Sequence, residues 1–150
     1  MARPTAPDDH AADRVFVDSS AWFAVASASD GRHAQADALL RDAVARQIRL
    51  VTTNLVLAEI HRLALVRMGI QPAVALLDRI EASRLVTIVH AGAEHHRAAR
   101  RWLAKLPDQR ISYTDAVSFA VMEGTRCGVA LTFDRHFAIA GFRMWWRDGG

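Results

Sequence analysis

The sequence has little cysteine and no long hydrophobic run, and each scarcity excludes a class of protein. A single thiol, Cys127, cannot form a disulfide within the chain, which suits a reducing compartment. It precedes a strand-like run, so we expect it to be buried and structural rather than nucleophilic. No apolar run approaches the roughly 18 residues that cross a membrane. We therefore expect a cytoplasmic protein with no membrane segment.

The start of the chain also lacks the features of a targeting segment. Residues 1–13 contain two prolines and three aspartates and no apolar core, so they do not resemble a secretory signal. We expect a flexible leader over 1–13, followed by one domain over 14–150. A chain of 150 residues has the length of one ordinary domain.

Charge of one sign is not in large excess, and familiar catalytic loops are missing. Nineteen basic against sixteen acidic side chains give a net charge of +3, only a mild preference for polyanions. No glycine-rich phosphate loop or G-x-S-x-G elbow occurs, which argues against nucleotide-binding and serine-hydrolase folds. Haloacid dehalogenase-like phosphatases need a second aspartate two residues after the first, and that position here is Ser20.

What is present is an alternation of strand-like and helix-like segments. Short apolar runs predict strands at 15–17, 48–54, 84–91 and 129–137, with a fifth, edge strand at 139–146. Helical periodicity predicts two short helices over 21–47, then helices at 55–69, 71–83, 92–110 and 112–128, with Gly69 ending one and Pro107 another. This alternation predicts an α/β fold with a mainly parallel sheet of four to five strands and helices on both faces.

Four acids lie at comparable positions in this pattern. Asp18 follows the first strand, Glu59 lies in the helix after the second, Asp115 begins a late helix, and Asp134 follows the fourth strand. Right-handed crossovers bring the ends of parallel strands to one edge, so these acids are expected to converge. Clustered carboxylates repel one another unless a cation neutralises them. Oxygen ligands suit Mg²⁺ or Mn²⁺, which could activate water for phosphodiester cleavage.

Each acid also has a purely structural explanation. Asp18 could start a helix, and Asp115, three residues after Ser112, could belong to a capping box. Asp134 could form a turn or pair with Arg135. Glu59 is harder to explain in this way, because apolar residues surround it on its helix and acids seldom enter apolar faces without a partner. We give the set a catalytic interpretation because all four lie at matching positions.

Four segments carry a resemblance to a known family: VFVDSSAWFA, LVTTNLVLAEI, SYTDAVSFAVM and LTFDRHFAIAGF. In this order and spacing they resemble the motifs of PIN-domain ribonucleases, specifically the VapC toxins of type II toxin–antitoxin pairs. The resemblance implies a three-layer α/β/α fold and Mg²⁺- or Mn²⁺-dependent cleavage of RNA that leaves 5′-phosphate ends, with transfer or ribosomal RNA as substrate. It also implies a homodimer and a cognate VapB-type antitoxin that occupies the acidic groove.

Carried over position by position, the family's acidic cluster corresponds to Asp18, Glu59, Asp115 and Asp134. The resemblance makes Asp18 and Asp115 the first candidates for direct metal contact, with Glu59 and Asp134 completing the coordination. Small hydroxyl residues of the family correspond to Ser20, Thr53 and Thr132, which are expected to orient the carboxylates as hydrogen-bond donors. Asp30 and His33 match recurrent positions to which we assign structural roles.

Other signals are weaker. The histidines at 90, 95 and 96 lack zinc-ligand spacing, so a solvated face is expected there. The basic helix at 92–110 could hold an RNA backbone through Arg97, Arg100, Arg101 and Lys105, although a solvated face explains it as well. Trp102, Trp145 and Trp146 could stack on bases, but packing is the commoner use. The apolar surplus over 55–68 indicates contact with a second subunit.

The competing function is a catalytically inactive module of the same fold that binds RNA or protein. Four acids argue against it, because such a module has no use for their mutual repulsion. New 5′-phosphate ends on RNA would distinguish the nuclease from the binding module.

Overall fold

The computed structural model describes residues 13–145, which form one five-stranded parallel sheet with seven helices. The strand order is β3-β2-β1-β4-β5, and every neighbouring pair is parallel. This confirms the predicted α/β class and the edge position of the fifth strand. The strands are β1 (Arg14–Val17), β2 (Arg49–Thr53), β3 (Val86–Val89), β4 (Val129–Leu131) and β5 (Arg143–Met144).

The helices occupy the connections between these strands. They are α1 (Ser19–Ala26), α2 (His33–Ala45), α3 (Asn54–Met68), α4 (Ile70–Ala82), α5 (Ala93–Lys105), α6 (Tyr113–Gly124) and α7 (His136–Ile139). Gly69 separates α3 from α4 with a φ of +99°, a conformation that residues with a Cβ rarely adopt. It therefore ends α3 as its position predicts. Helix α5 stops ahead of Pro107, also as predicted.

The direction of the crossovers sorts the helices into two layers. The chain steps one way from β1 to β2 to β3, and the other way from β3 to β4 to β5. Because parallel crossovers are right-handed, α1 to α4 cover one face of the sheet and α5 to α7 the other. Packing agrees, since α1 contacts α2 and α3, α3 contacts α4, and α5 contacts α6. The three-layer arrangement is therefore the one expected.

The core lies on both faces of the central strand. Val15, Phe16 and Val17 of β1 are fully buried between the helical layers, as a strand with covered faces must be. On the α5–α7 side, five aromatic rings pack edge-on or tilted at centroid distances of 4.9–6.1 Å: Phe16, Trp102, Phe119, Phe137 and Phe142. Trp102 and Trp145 are both buried, in keeping with packing rather than base stacking.

Several predicted elements are shorter than expected. Within the described residues the fifth strand, predicted over 139–146, covers Arg143–Met144, and the helix predicted over 92–110 ends at Lys105. The helix predicted to 128 ends at Gly124, and the strand predicted over 129–137 ends at Leu131. After β4 the carboxylate of Asp134 accepts a hydrogen bond from the backbone N–H of His136, 2.9 Å away. This local side-chain bond competes with strand pairing and starts α7 instead.

Three further expectations concern the leader, the cysteine and the membrane. The predicted leader lies outside the described residues except for Asp13. Cys127 is buried as expected, and burial raises the pKa of its thiol. Within residues 13–145, no helix has both the length and the apolarity needed to cross a bilayer.

Candidate metal centre and active site

The predicted acids lie where the strand order reverses. The chain leaves β1 toward one edge of the sheet and reaches β4 from the opposite side, so a crevice opens between the carboxyl ends of β1 and β4. A cleft of about 750 Å³ lies there. Its lining includes all four predicted acids, together with Ser19, Ser20, Arg62, Leu63, Val66, Arg67, Arg110, Ser112 and His136.

Asp18 is the most deeply placed of the four. Its backbone N–H continues the pairing of β1 with β4 by donating to Leu131 O at 3.2 Å, and its side chain is only 2% exposed. One carboxylate oxygen, Oδ2, accepts hydrogen bonds from the hydroxyls of Ser20 at 3.1 Å and Thr132 at 3.0 Å. These two hydroxyls fix the orientation of the carboxylate. Ser20 and Thr132 therefore lie beside an acid, as predicted.

Asp115 contributes its backbone N–H to a helix cap and its carboxyl group to the cleft. Its backbone N–H donates to Ser112 Oγ at 3.0 Å, so Ser112 caps α6 as the capping-box pattern predicts. Its carboxyl group, on a side chain that is 7% exposed, lines the cleft. The cap fixes the first turn of α6 and thereby holds this carboxyl beside the other acids.

Glu59 lies on the face of α3 that borders the cleft. Its Oε2 atom is buried, and within the described chain it has no hydrogen-bond partner. A buried carboxylate oxygen without a partner loses hydration and gains nothing in return, so such atoms are rare in folded proteins. The observation indicates that a donor or a cation belongs beside this oxygen.

Asp134 is paired with a residue that the sequence interpretation did not select. Its Oδ1 lies 3.2 Å from Nδ1 of His136, rather than beside Arg135. Ligand atoms of Asp115, Asp134 and His136 all lie within 4.8 Å of one another, close enough to surround one metal ion. His136 is thus a further candidate ligand. The sequence could have indicated His136 as a candidate ligand, because it lies only two residues after Asp134, at the start of α7.

Burial and mutual repulsion change the proton affinities of two of the acids. Desolvation, with a smaller contribution from the charge of Glu59, raises the pKa of Asp18 to about 6, although hydrogen bonds from Ser19, Thr132 and Ser20 oppose the change. Desolvation also raises the pKa of Asp115 to about 8, reinforced by the negative charges of Asp18, Asp134 and Glu59 and by a hydrogen bond to Asp134. In the metal-free cleft, Asp115 is therefore mainly protonated at neutral pH, whereas Asp18 is mainly ionised.

These features fit a hard divalent cation. Most of the donors at this place are carboxylate oxygens, which suit Mg²⁺ or Mn²⁺, and the described residues offer no thiolate there. A cation near Glu59 Oε2 would supply its missing partner, and it would offset the repulsion that adds to desolvation in raising the pKa values of Asp18 and Asp115. The residues present are therefore compatible with the metal that the sequence predicts.

Thr53 has a different contact from the one expected. It was predicted to orient a carboxylate, but its hydroxyl accepts a hydrogen bond from Val56 N at 3.1 Å and so caps α3. Threonine directly before a helix satisfies one of the free N–H groups of the first turn. Thr53 supports the helix that carries Glu59, and its observed partner is backbone rather than acid.

The cationic residues at the cleft are not those of the predicted basic helix. Arg62 and Arg67 of α3, and Arg110 before α6, line the cleft. By contrast, Arg101 and Lys105 of α5 border a separate depression next to Trp102. The spacing of Arg62 and Arg67 relative to Glu59 places them on one helical face, a signal that the apolar content of α3 obscured.

The remaining predicted residues have structural contacts. Asp30 accepts a hydrogen bond from Arg32 N, and His33 Nδ1 bonds to Ala24 O, which agrees with their assigned structural roles. His95 bonds to Gly92 N and so caps α5. Within residues 13–145, no metal-binding group involves the histidines at 90, 95 and 96. Trp146 lies outside the described residues.

Comparison with known proteins gives one family and several relatives. The PIN domain family matches residues 15–143. The chain is 36% identical over 128 residues to the 23S rRNA-specific endonuclease VapC20 of Mycobacterium tuberculosis, which covers 85% of this chain and 95% of the relative. It is 29% identical to ribonuclease VapC26 of the same species, over 83% of this chain and 90% of the relative.

A solved structure shares the fold. The crystal structure of M. tuberculosis VapC20, described as a toxin that cleaves the sarcin–ricin loop, superposes with a TM-score of 0.78. That match again covers 85% of this chain and 95% of the relative, at 36% identity.

The raised pKa values predict how stability depends on pH. When the pKa of a carboxyl group is higher in the folded than in the unfolded protein, the group stabilises the fold fully at pH values below its unfolded-state pKa. This stabilisation is lost as the pH rises through its folded-state pKa. The metal-free protein should therefore lose stability between about pH 4 and about pH 8. Asp115→Asn removes one charge and should raise Tm at pH 8 by roughly 2–6 °C.

Thermal unfolding in EDTA measures this effect, with Asp42→Asn as the control, because Asp42 pairs with Arg46 on the exposed surface of α2. Added MgCl₂ should raise the Tm of the wild type more than that of Asp115→Asn. A lower Tm for Asp115→Asn than for the wild type at pH 8 would contradict the repulsion described here.

Proposed function

This chain belongs to the PIN-domain family, among its VapC ribonucleases, and from that premise we propose that it is the toxin of a type II toxin–antitoxin pair. Its activity is that of an endoribonuclease, which hydrolyses RNA phosphodiesters with Mg²⁺ or Mn²⁺ and leaves 5′-phosphate ends. The likeness to a 23S rRNA-specific endonuclease favours ribosomal over transfer RNA as the substrate. Ribosomal RNA as substrate assigns its action to the cytoplasm.

One observation supports this proposal above all: four carboxyl groups share a cleft in which Glu59 Oε2 is buried and has no hydrogen-bond partner among residues 13–145. A binding module would gain nothing from such a cluster, because its repulsion destabilises the fold and also repels RNA. A metal-dependent nuclease needs the same cluster to hold its cation. The electrostatic cost of the cleft is therefore explained by catalysis and left unexplained by binding alone.

Each residue has a proposed task. Asp18 and Asp115 would hold the cation directly, and Glu59 and Asp134 would complete its surroundings. Asp115 and Asp134 have ligand atoms within 4.8 Å of each other and of His136, which would be a further ligand. Ser20 and Thr132 keep the carboxylate of Asp18 in one orientation through their hydrogen bonds. A bound Mg²⁺ or Mn²⁺ supplies Lewis-acid chemistry, which strengthens water as a nucleophile and stabilises charge on the leaving oxygen.

The reaction is an in-line displacement at phosphorus. The oxygen of water forms a bond to phosphorus while the bond to the 3′-oxygen breaks, which gives a 5′-phosphate and a 3′-hydroxyl end. A cleft carboxylate that the cation does not contact would be suited to accept the proton that the water loses.

The arginines at the cleft are suited to hold the RNA backbone. Within residues 13–145, Arg62, Arg67 and Arg110 form no salt bridge with any acid, although four carboxyl groups share their cleft. Their guanidinium groups are exposed and therefore remain available to phosphates, which they bind in a bidentate manner. We propose that they bind phosphates on either side of the cleaved bond.

Two protein partners belong to the proposal. A VapB-type antitoxin would neutralise the toxin by occupying the acidic cleft, where an arginine of the antitoxin could pair with the carboxylates. A second copy of the chain would cover the apolar α3–α4 surface, defined by Leu65, Val66, Ile70 and Val74. Val66 is 75% and Ile70 73% exposed, unusually high for large apolar side chains placed so close together.

Removal of one metal-binding carboxylate should abolish cleavage. The test substrate is an RNA hairpin that carries the sarcin–ricin loop of 23S rRNA, incubated with MgCl₂. Asp18→Asn keeps the shape of the side chain but weakens cation binding, so we expect at least a roughly hundredfold loss of rate. Sequencing of the 5′-phosphate ends measures the reaction, and EDTA should stop the wild-type enzyme.

Asp42→Asn is the matched control and should cleave at the wild-type rate with the same circular dichroism spectrum. Cleavage by Asp18→Asn at the wild-type rate would disprove the proposed role of the cluster. RNA retention by the wild type without new 5′ ends under Mg²⁺ or Mn²⁺ would instead favour the binding module.

Loss of a cleft arginine should weaken RNA binding in a salt-dependent way. Arg67→Ala and Arg62→Ala should each raise KM about three- to tenfold at 50 mM KCl and reduce the slope of log KM against log salt by about 0.7, since one phosphate contact is lost. Arg101→Ala on α5 is the control and should leave both quantities unchanged. Equal effects of Arg101→Ala and Arg67→Ala would contradict the assignment.

The proposed dimer makes a separate prediction about mass in solution. Light scattering should give about twice the 16.6 kDa of one chain for the wild type. Ile70→Glu places a charge in the α3–α4 surface and should shift the mass to that of a monomer. Val44→Glu, at a half-exposed apolar position on α2, should remain dimeric. A monomeric wild type at micromolar concentration would refute the dimer.

A further inference from the structure

The one tyrosine of the sequence is held against a histidine at the start of α6. The hydroxyl of Tyr113 and Nδ1 of His96 are 2.7 Å apart, and the two rings stack with a centroid distance of 5.6 Å and an interplanar angle of 10°. Tyr113 nevertheless remains 41% exposed. The pair is therefore a flat, oriented aromatic surface that solvent reaches.

This His96–Tyr113 stack lies next to the cleft. Tyr113 directly follows Ser112, which lines the cleft and caps α6, and it precedes the metal-binding candidate Asp115 by two residues. Arg110, three residues earlier, lines the same cleft. Neither Tyr113 nor His96 belongs to that lining, so the ring lies beside the cleft, one residue from Ser112, and not within it.

Packing within the fold does not require the ring at this position. The aromatic rings of the core form a separate cluster around Phe119, to which Tyr113 makes no ring contact in the described chain. From Asp115 to Met122 every residue of α6 is buried, while Tyr113 stays outside this run. An exposed ring gains little from burial, so its fixed orientation points to a ligand.

We propose that the His96–Tyr113 stack receives a nucleobase of the RNA, the base of a nucleotide beside the cleaved phosphodiester. This inference rests on the proposed nuclease function and adds a positioning surface to it. Bases of looped RNA are unstacked and seek aromatic partners, and stacking tolerates any base because each has a π-face. The hydroxyl bond to His96 keeps the ring from rotating away before the base arrives.

Three groups of residues would then bind different parts of the RNA and its cation. Arginines would hold phosphates, acids would hold the cation, and the stack would fix the nucleotide so that its phosphate lies over the acids. Stacking on one aromatic ring accounts for a roughly ten- to hundredfold change in affinity. Because the ring contacts a base and not the reacting atoms, the effect should appear mainly in KM.

The test pairs a protein change with an RNA change. Tyr113→Ala should raise KM for the hairpin defined above roughly ten- to hundredfold, with kcat within about threefold of the wild type. Tyr113→Phe keeps the ring but loses the hydroxyl bond to His96, so Tyr113→Phe and His96→Ala should each give an intermediate loss. Val44→Ala, at a similarly exposed position on α2, is the control.

An RNA hairpin with an abasic nucleotide on one side of the cleaved bond should raise KM of the wild type by a similar factor. It should not raise KM of Tyr113→Ala any further. Such non-additivity identifies contact between the ring and that base, which a merely structural role would not produce. Equal losses from the abasic RNA in both proteins would overturn the inference, as would wild-type KM for Tyr113→Ala.

The same double-mutant cycle, Tyr113→Ala combined with the abasic RNA, is also measured as equilibrium binding affinity. Both proteins then carry Asp18→Asn, so that no RNA is cut. Absence of cleavage by the wild type would refute the proposed nuclease, while the binding cycle would still test the stack. Cleavage by the wild type together with an additive cycle would refute the stack and leave the nuclease intact.

Discussion

Repulsion between buried carboxylates is the constraint on which the rest of the structure depends. Asp18 and Asp115 are nearly inaccessible to water, and burial, reinforced by the charge of Asp18, raises the pKa of Asp115. Two hydroxyls satisfy Asp18, a hydrogen bond links Asp115 to Asp134, and His136 flanks Asp134. Glu59 Oε2 is left without such help. The protein has therefore built a site whose charge is balanced only by protons or by a cation.

The topology makes this site possible and prevents its relaxation. β1 lies between β2 and β4 and is buried on both faces, so Asp18 is fixed at the end of the central strand. The ring cluster around Phe119 packs one face of α6 against the sheet, which keeps Asp115 from turning toward solvent. Stability gained in the core thus offsets the unfavourable electrostatics at the cleft, as is common at functional sites.

Sequence patterns predicted the secondary structure elements and the acids of this site better than the residues that surround the acids. The order of strands and helices, the break at Gly69 and the convergence of the acids followed from periodicity and from strand-end positions. The turn after β4 did not, because a side-chain hydrogen bond at Asp134 shortens the strand and brings His136 into the cluster. The α5 arginines were considered for RNA binding, with a solvated face as the alternative, because charge density is visible in a sequence, whereas the direction of a helical face is fixed only by packing. Thr53 was misjudged for a similar reason, since a hydroxyl can serve a helix end as readily as a carboxylate.

Positive and negative side chains share the cleft but remain separate from one another. Glu59 and Arg62 are three residues apart on α3, a spacing at which an acid and a base often pair. They do not pair here, because the unpartnered oxygen of Glu59 is buried while the guanidinium group of Arg62 stays exposed. If they paired, the acid would be neutralised and the base would be lost to a phosphate. Because the charges stay apart, the buried carboxylates require a cation and the exposed arginines can bind an anion. A phosphodiester bound together with a divalent metal ion supplies both.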